Sequence, residues 1–257
     1  LEIITPPHEP WLRGGEEARP MPDNHRAMSK SEEWFQERKD RIRKRFLRYT
    51  RRAFRSLPPL ARPRILDIGC GNGIPTVELA KLSDGMITAL DREQRLLDEV
   101  AERAAKAGVA DRIKTVRMSM AGMRFRAASF DIIWAEGSIA AIGFHRGLRE
   151  WKRFLKPGGF MGIHDEKGDV ERKREQISRC GYALIRCFIV DEDVWRAEYL
   201  VPLERLVRDA ERRLVREPTV ARALREARNE IDGFTKNQGR LSSVFFVMKN
   251  SHPTEER

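Results

Sequence analysis

The chain has 257 residues, 40% of them hydrophobic and 35% charged, with a formal net charge of +11. That length and apolar content support one substantial core, and no apolar run approaches the roughly 20 residues needed to cross a bilayer, which excludes a membrane-spanning reading. Three cysteines, Cys70, Cys180 and Cys187, neither pair up completely nor show metal-ligand spacing, and the proline-rich start carries no apolar leader, so a reduced, cytoplasmic protein is expected.

Residues 1–28 are rich in Pro and Gly, with Trp11 as their only large aromatic, and read as an extended arm, either disordered or folded over the site as a lid. Charge then becomes very uneven. Residues 38–64 hold twelve lysines and arginines against the single acid Asp40, a net of +11, so the rest of the chain is balanced at 38 basic and 38 acidic residues. Phe35, Ile42, Phe46, Tyr49, Ala53 and Leu57 recur at spacings of three, four and seven, which predicts one amphipathic helix within 29–59, ended by Pro58 and Pro59. Its basic face has two readings. One is an electropositive rim that draws in an anionic substrate or an RNA backbone; the other is a solvated face whose arginine stems cover apolar surface.

The most informative stretch follows, Ile65-Leu66-Asp67-Ile68-Gly69-Cys70-Gly71-Asn72-Gly73, a hydrophobic strand running into three alternate glycines. Alternate glycines let the backbone bend sharply and let a ligand approach the main chain. A dinucleotide site has Gly-x-Gly-x-x-Gly, whereas here position 74 is Ile and Asp67 puts negative charge where a dinucleotide would bring its own. A cationic ligand without a phosphate fits this pattern better. A helix over Thr76–Leu82 and a strand over Met86–Leu90 come next, ending in Asp91, about 20 residues past the glycines and placed to accept ribose hydroxyls. A helix over Glu93–Ala107 stops at Gly108, and a third strand covers Ile113–Met118. Phe130–Trp134 reads as strand four, Gly147–Leu155 as a helix, Lys156-Pro157-Gly158-Gly159 as a turn, and Phe160–Ile163 as strand five. Asp169–Arg179 is a helix closed by Gly181, Ala183–Val190 a strand, 191–236 a charged insertion of two helices broken near Pro218, and Ser242–Lys249 the last strand, followed by the tail 251–257.

The Asp67-x-Gly69-x-Gly71-x-Gly73 pattern resembles motif I of the class I S-adenosylmethionine-dependent methyltransferases, and the ordered matches over about residues 60–190 make the resemblance specific. Glu136-Gly137-Ser138-Ile139-Ala140-Ala141-Ile142-Gly143-Phe144 is similar to a Glu-Gly-x-Ile-x-x-Ile-Gly-Phe segment of small bacterial and archaeal members. The resemblance implies a Rossmann-like, doubly wound α/β domain over 60–250, a seven-stranded mostly parallel sheet with its last strand antiparallel and a helical insertion. It also implies S-adenosyl-L-methionine as cofactor, held by Asp67, Gly69, Cys70, Gly71, Gly73, Asp91, Arg92 and Glu136. Members often carry an acid after strand three for the adenine amino group; this chain has Ser119-Met120 there, so the Ser119 hydroxyl or the Met120 backbone takes that place.

Methyl transfer mainly requires donor and acceptor to be held near contact distance, and a hydroxyl or ring-carbon acceptor adds the need for a base. Glu136, His145, His164 and Tyr199 are the candidate catalytic residues, and Trp195 and Tyr199, in a stretch resembling a Tyr-x-x-Pro pattern of the same subgroup, are candidate substrate-facing aromatics. His164-Asp165-Glu166 are three adjacent residues that point in different directions, so no metal site is expected. The expected reaction is methylation of a small, anionic acceptor. Two alternatives stand beside it: an RNA or ribosomal-protein methyltransferase using the basic helix, and a non-catalytic cofactor-binding regulator or scaffold.

Overall fold

The structure, a computed structural model, describes residues 29–214, 218–236 and 241–251. The arm expected over 1–28 lies outside the described residues, as does the tail beyond Ser251.

The elements in chain order are α1 (Lys30–Lys44), α2 (Leu47–Phe54), β1 (Arg64–Ile68), α3 (Ile74–Leu82), β2 (Met86–Asp91), α4 (Gln94–Lys106), β3 (Ile113–Arg117), β4 (Phe130–Glu136), α5 (Phe144–Lys152) and β5 (Leu155–Glu166). They continue with α6 (Val170–Arg179), β6 (Tyr182–Val190), α7 (Glu192–Trp195), a π-helical turn (Arg196–Leu200), α8 (Val201–Arg213), α9 (Ala221–Lys236) and β7 (Ser243–Asn250). The seven strands form one sheet in the order β3-β2-β1-β4-β5-β7-β6, in which β7 runs antiparallel to both of its neighbours and β1 to β5 pair in parallel, as the doubly wound expectation required.

Continuous apolar runs in β1 and β4 explain why the sheet is central: a strand covered on both faces has no polar side to offer. Leu66, Ile68, Ile133 and Ala135 face a core shared with Leu148, Trp151 and Ile177 of α5 and α6, while Ile65, Ile132 and Trp134 face Ala53, Val77, Leu79 and Ala104 of α2, α3 and α4. Gly162 lies opposite Trp134 in the β4–β5 register, and a Cβ there would run into the Trp134 ring. A third core, built from Phe35, Ile42, Tyr199, Leu203, Leu206, Val207 and Ala227, joins α1 to α8 and α9. The insertion therefore packs on the N-terminal helix as well as on the sheet.

Three local expectations are corrected. The basic helix is two helices: the Arg45 amide turns back to the Ile42 carbonyl (3.2 Å) and the Phe46 amide to the Arg43 carbonyl (3.0 Å), a tightened turn that brings the Phe46 ring onto Trp195 at 4.3 Å. The turn predicted at Lys156–Gly159 is absorbed into β5 with a register shift opposite Phe130 and Ile132, where Lys156 Nζ binds both Asp131 carboxylate oxygens at 2.8 and 2.9 Å. The helix before β5 begins at Phe144, three residues early, because Gly143 (φ 88°) supplies the turn into it, and Leu155 belongs to the strand. The insertion is as expected, helical and nearly continuous from Glu192 to Arg213 through the π-helical turn, then broken at a 3-10 turn at Pro218–Val220 before α9.

Candidate active site

β1 delivers the chain to a loop whose glycines all have left-handed backbones, with φ of 69° at Gly69, 54° at Gly71 and 80° at Gly73. The three have different reasons to lack a side chain. A Cβ on Gly69 would lie 2.5 Å from Ser138 Cβ and 3.3 Å from Met120 Cε, and one on Gly73 would lie 2.8 Å from Val100 Cγ2, so both are close-packing positions. Gly71 meets nothing within 4 Å and is the place where the loop backbone is open to a ligand. The Gly69 and Cys70 amides are already used on the Leu90 carbonyl (2.8 and 3.0 Å), which ties the loop to β2.

Three carboxylates stand around this loop. Asp67, at the end of β1, is buried and accepts from the Thr76 hydroxyl at 2.6 Å; burial pushes its pKa up to about 7, against the Thr76 hydrogen bond and helped by the nearby Asp91 charge. Asp91, at the end of β2, accepts from the Gly71 amide and the Glu93 amide, each at 3.1 Å. Each of its oxygens keeps lone-pair capacity for a further donor. Glu136, at the end of β4, accepts from Trp134 Nε1 (2.8 Å) and the Thr50 hydroxyl (3.1 Å), and burial raises it to about 7 as well. Asp67 and Glu136, whose burial is only partly offset by hydrogen bonds, form with the nearby Asp91 a site that gains by binding a cation.

Helices α1 and α2 close over this loop. Asp40 of α1 accepts from Asn72 of the glycine loop (3.2 Å), from Gln36 (2.9 Å) and from Arg103 of α4. Arg51 of α2 pairs with Glu78 of α3 at 2.5 Å. Part of the basic segment is therefore consumed in fastening: Lys39 pairs with Glu230 (2.8 Å) and Arg48 with Glu198 (2.5 Å) of the insertion.

From Glu136 the chain turns through Gly137, whose amide donates to the His164 carbonyl at 2.8 Å, to Ser138, whose hydroxyl donates to the Ile68 carbonyl at 2.6 Å beside Gly69. Gly137 also borders a cavity of about 320 Å³ walled by His164, Asp165 and Glu166 of β5, Trp195, Glu230 and Phe234 of the insertion, and Ser243 of β7. One short turn thus links the glycine loop to the cavity. His164 stacks on Phe245 (ring centroids 4.3 Å), its Nε2 is buried without a hydrogen-bond partner, and burial, with Lys173 nearby, lowers its pKa to about 4, so the ring is neutral at pH 7.

The remaining expected residues fall elsewhere. His145 is exposed at the start of α5 and does not line the cavity. Tyr199 is buried behind the cavity wall, taking a hydrogen bond from Arg43 Nε at 3.2 Å and donating its own to Glu230. Burial pushes its phenol well above the ordinary range, which suits a bracing role better than that of a base. Cys70 is buried and its thiol is pushed up by burial and by Asp67 and Asp91. Arg92 and Ser119 are exposed, with Ser119 capping its own turn through the Ala121 amide (3.3 Å). Among the described residues no group of three His, Cys, Asp or Glu is placed to hold a metal, and no helix is long and apolar enough to cross a membrane.

Thr50, Thr76, Ser138, Glu230 and Phe234 were not singled out from the sequence. Thr76 is one helical turn into α3, where a hydroxyl facing the strand-end acid was a findable pairing; Thr50 lies 86 residues from Glu136 and carries no local signal.

Residues 65–159 match the family model described as a methyltransferase domain. The chain is 30% identical over 151 residues to the 27-O-demethylrifamycin SV methyltransferase of Amycolatopsis mediterranei (strain S699), covering 56% of each chain. Its fold is similar to that of a SAM-dependent methyltransferase from Geobacter sulfurreducens solved with S-adenosyl-L-homocysteine (TM-score 0.59, 19% identity, 76% of this chain and 87% of that one). It is similar too to the [4+2]-cyclase SpnF (TM-score 0.63, 18% identity, 79% and 81%). The chain spans about half the length, or less, of the curated relatives it matches. The matched stretch runs from β1 into β5, the part of the sheet that carries the glycine loop and its three strand-end acids, so the likeness to a methyltransferase domain falls on the candidate site.

Proposed function

We propose that this chain binds S-adenosylmethionine on the glycine loop and methylates a small molecule held in the adjoining cavity. The observation that carries the reading is the open backbone at Gly71 ringed by Asp67, Asp91 and Glu136, an acidic site suited to a sulfonium and ammonium ligand and hostile to a pyrophosphate. When bound, the sulfonium supplies an electrophilic methyl group. Asp91 has oxygens free for ribose hydroxyls, Asp67 and Glu136 offer negative charge along the strand ends, and the Met120 side chain borders the loop at Gly69. Thr50 of α2 and Trp134 fix Glu136 through hydrogen bonds to its two oxygens.

The cavity supports a small acceptor, and a cavity of about 320 Å³ is at the small end of the range for ligand sites. No lysine or arginine lines it among the described residues, which gives the expected anionic acceptor no partner. The A. mediterranei relative is named as a methyltransferase of 27-O-demethylrifamycin SV, and the SpnF likeness shows the same fold in a protein named as a cyclase. A second reading, RNA as partner, is favoured by Arg38, Arg41 and Arg45 of α1, which face Arg205 and Arg212 of α8 across an open groove away from the cavity. Binding of an oligonucleotide that falls steeply with salt supports it; salt-independent binding removes it.

The cofactor reading is tested by thermal shift with S-adenosylhomocysteine on wild type and Asp91→Ala. A ligand-dependent rise in Tm in wild type, lost in a folded Asp91→Ala protein, supports the assignment; an equal rise in both contradicts it.

A further inference from the structure

We infer that the acceptor is an uncharged, ring-bearing hydroxyl compound, seated against Trp195 and Phe234 with its hydroxyl on His164; this deepens, and rests on, the cofactor reading above.

Charge comes first. The cavity wall carries Asp165, Glu166 and Glu230 and, among the described residues, no lysine or arginine. Two of these acids are already neutralised from outside the wall, Asp165 by Lys173 Nζ at 2.5 Å and Glu230 by Lys39 Nζ at 2.8 Å. Glu166 is exposed at the rim. An entering anion meets carboxylate and, among the described residues, no lysine or arginine of the wall, which costs it affinity. A cation finds only Glu166, an exposed charge that solvent screens, and a protonated amine has no lone pair to alkylate.

Shape comes second. Trp195 and His164 are parallel to within 3° at a centroid separation of 6.0 Å, and Phe234 lies 6.0 Å from Trp195. The Trp195 indole is fixed by its Nε1 hydrogen bond to Ser243 (2.9 Å) and by the Phe46 stack. Rigid aromatic walls favour a flat partner, since ring pairs contribute beyond their buried area.

The hydroxyl comes third. His164 is the neutral titratable group of the wall, and its Nε2 lacks a partner in a molecule where most buried polar atoms have one. Methylation of a hydroxyl forms an O–C bond as the donor's S–C bond breaks and releases the hydroxyl proton. The His164 imidazole, whose buried Nε2 has no other partner, is the base that the wall offers for that proton.

The test uses three matched probes, benzyl alcohol, benzylamine and benzoate, with ligand-observed NMR on the full chain saturated with S-adenosylhomocysteine at pH 7.5. Benzyl alcohol is expected to bind at least fivefold more tightly than benzoate or benzylamine. Trp195→Ala is expected to abolish its signal, and Glu166→Lys to raise benzoate binding severalfold, both with the S-adenosylhomocysteine thermal shift retained. His164→Leu is expected to remove the preference for benzyl alcohol over toluene. Tightest binding by benzoate or benzylamine overturns the inference, as does absence of binding by all three or an unchanged preference in His164→Leu. If wild type shows no S-adenosylhomocysteine shift, it is the cofactor reading that fails.

Discussion

The sheet half of this molecule and the helical cover over it are held by different kinds of interaction. Around the glycine loop much of the geometry is backbone geometry: positive-φ glycines, Asp91 at a strand end bound to two amides, and amides tied to a neighbouring strand's carbonyl. In the cover, formed by α1, α2 and the insertion, side chains far apart in sequence do the fastening, through Lys39 and Arg43 on Glu230, Arg48 on Glu198, and the Phe46, Trp195, Tyr199 and Phe234 rings. A cofactor common to a family calls for a site made of main chain and a few acids. Acceptors differ between relatives, and the proposed acceptor cavity is closed on one side by Trp195, Glu230 and Phe234, which the cover brings in.

Substitutions that strike one half and spare the other sharpen this contrast. The largest expected effect is in the sheet: Gly162→Ala pushes a methyl group into the Trp134 ring, and overpacking of this kind costs about 1–3 kcal/mol, read as a lower denaturation midpoint with an unchanged slope. In the cover, Glu230→Ala leaves Lys39, which is 8% exposed, and the Tyr199 hydroxyl without their acid. A loss of about 2 kcal/mol is expected, less than for a fully buried pair because Glu230 is partly exposed. Cofactor affinity is expected to fall less than acceptor affinity; the reverse order breaks the division between the two halves.

Next in size is a pH effect. Asp67 is raised from 3.8 to about 7 in the folded chain, so between those values the native state holds more protons than the unfolded one, and stability falls as pH rises through that window. Glu136 acts with the same sign. His164, lowered from 6.5 to about 4, acts oppositely, since there the unfolded state holds more protons and stability rises with pH between 4 and 6.5. The difference in Tm between wild type and Asp67→Asn isolates the first contribution, and a wild-type deficit that grows from pH 4 to pH 7 is expected. The smallest effect belongs to Arg48→Ala, whose pair with Glu198 is exposed; denaturation is expected to detect a loss of no more than about 0.5 kcal/mol.

The contrast also decides what was legible in the sequence. Asp67, the three glycines and Asp91 are placed by spacing along a few residues, and a mostly parallel sheet with its last strand antiparallel follows from alternating strands and helices, so both placements were readable. Leu155 joined a strand because Gly143 started the preceding helix early, a tertiary outcome at a boundary that periodicity leaves open. Thr50 on Glu136, and Glu230 on Lys39, are contacts 86 and 191 residues apart that no local pattern announces. The twelve basic residues of 38–64 suggested an anionic acceptor; the structure turns Lys39 and Arg48 onto acids of the insertion and Arg51 onto Glu78 of α3, and none of the twelve lines the cavity.

The central claim is that the glycine loop is a site for a cation rather than for a phosphate. Calorimetric titration of S-adenosylmethionine and of NAD into the wild-type chain at pH 6 and pH 8 tests it most directly. The account predicts that S-adenosylmethionine binds and NAD does not, with tighter binding at pH 8, where Asp67 and Glu136 are ionised, and with proton release at pH 6. NAD binding as tightly as S-adenosylmethionine, or an affinity for S-adenosylmethionine that increases toward low pH, would contradict it.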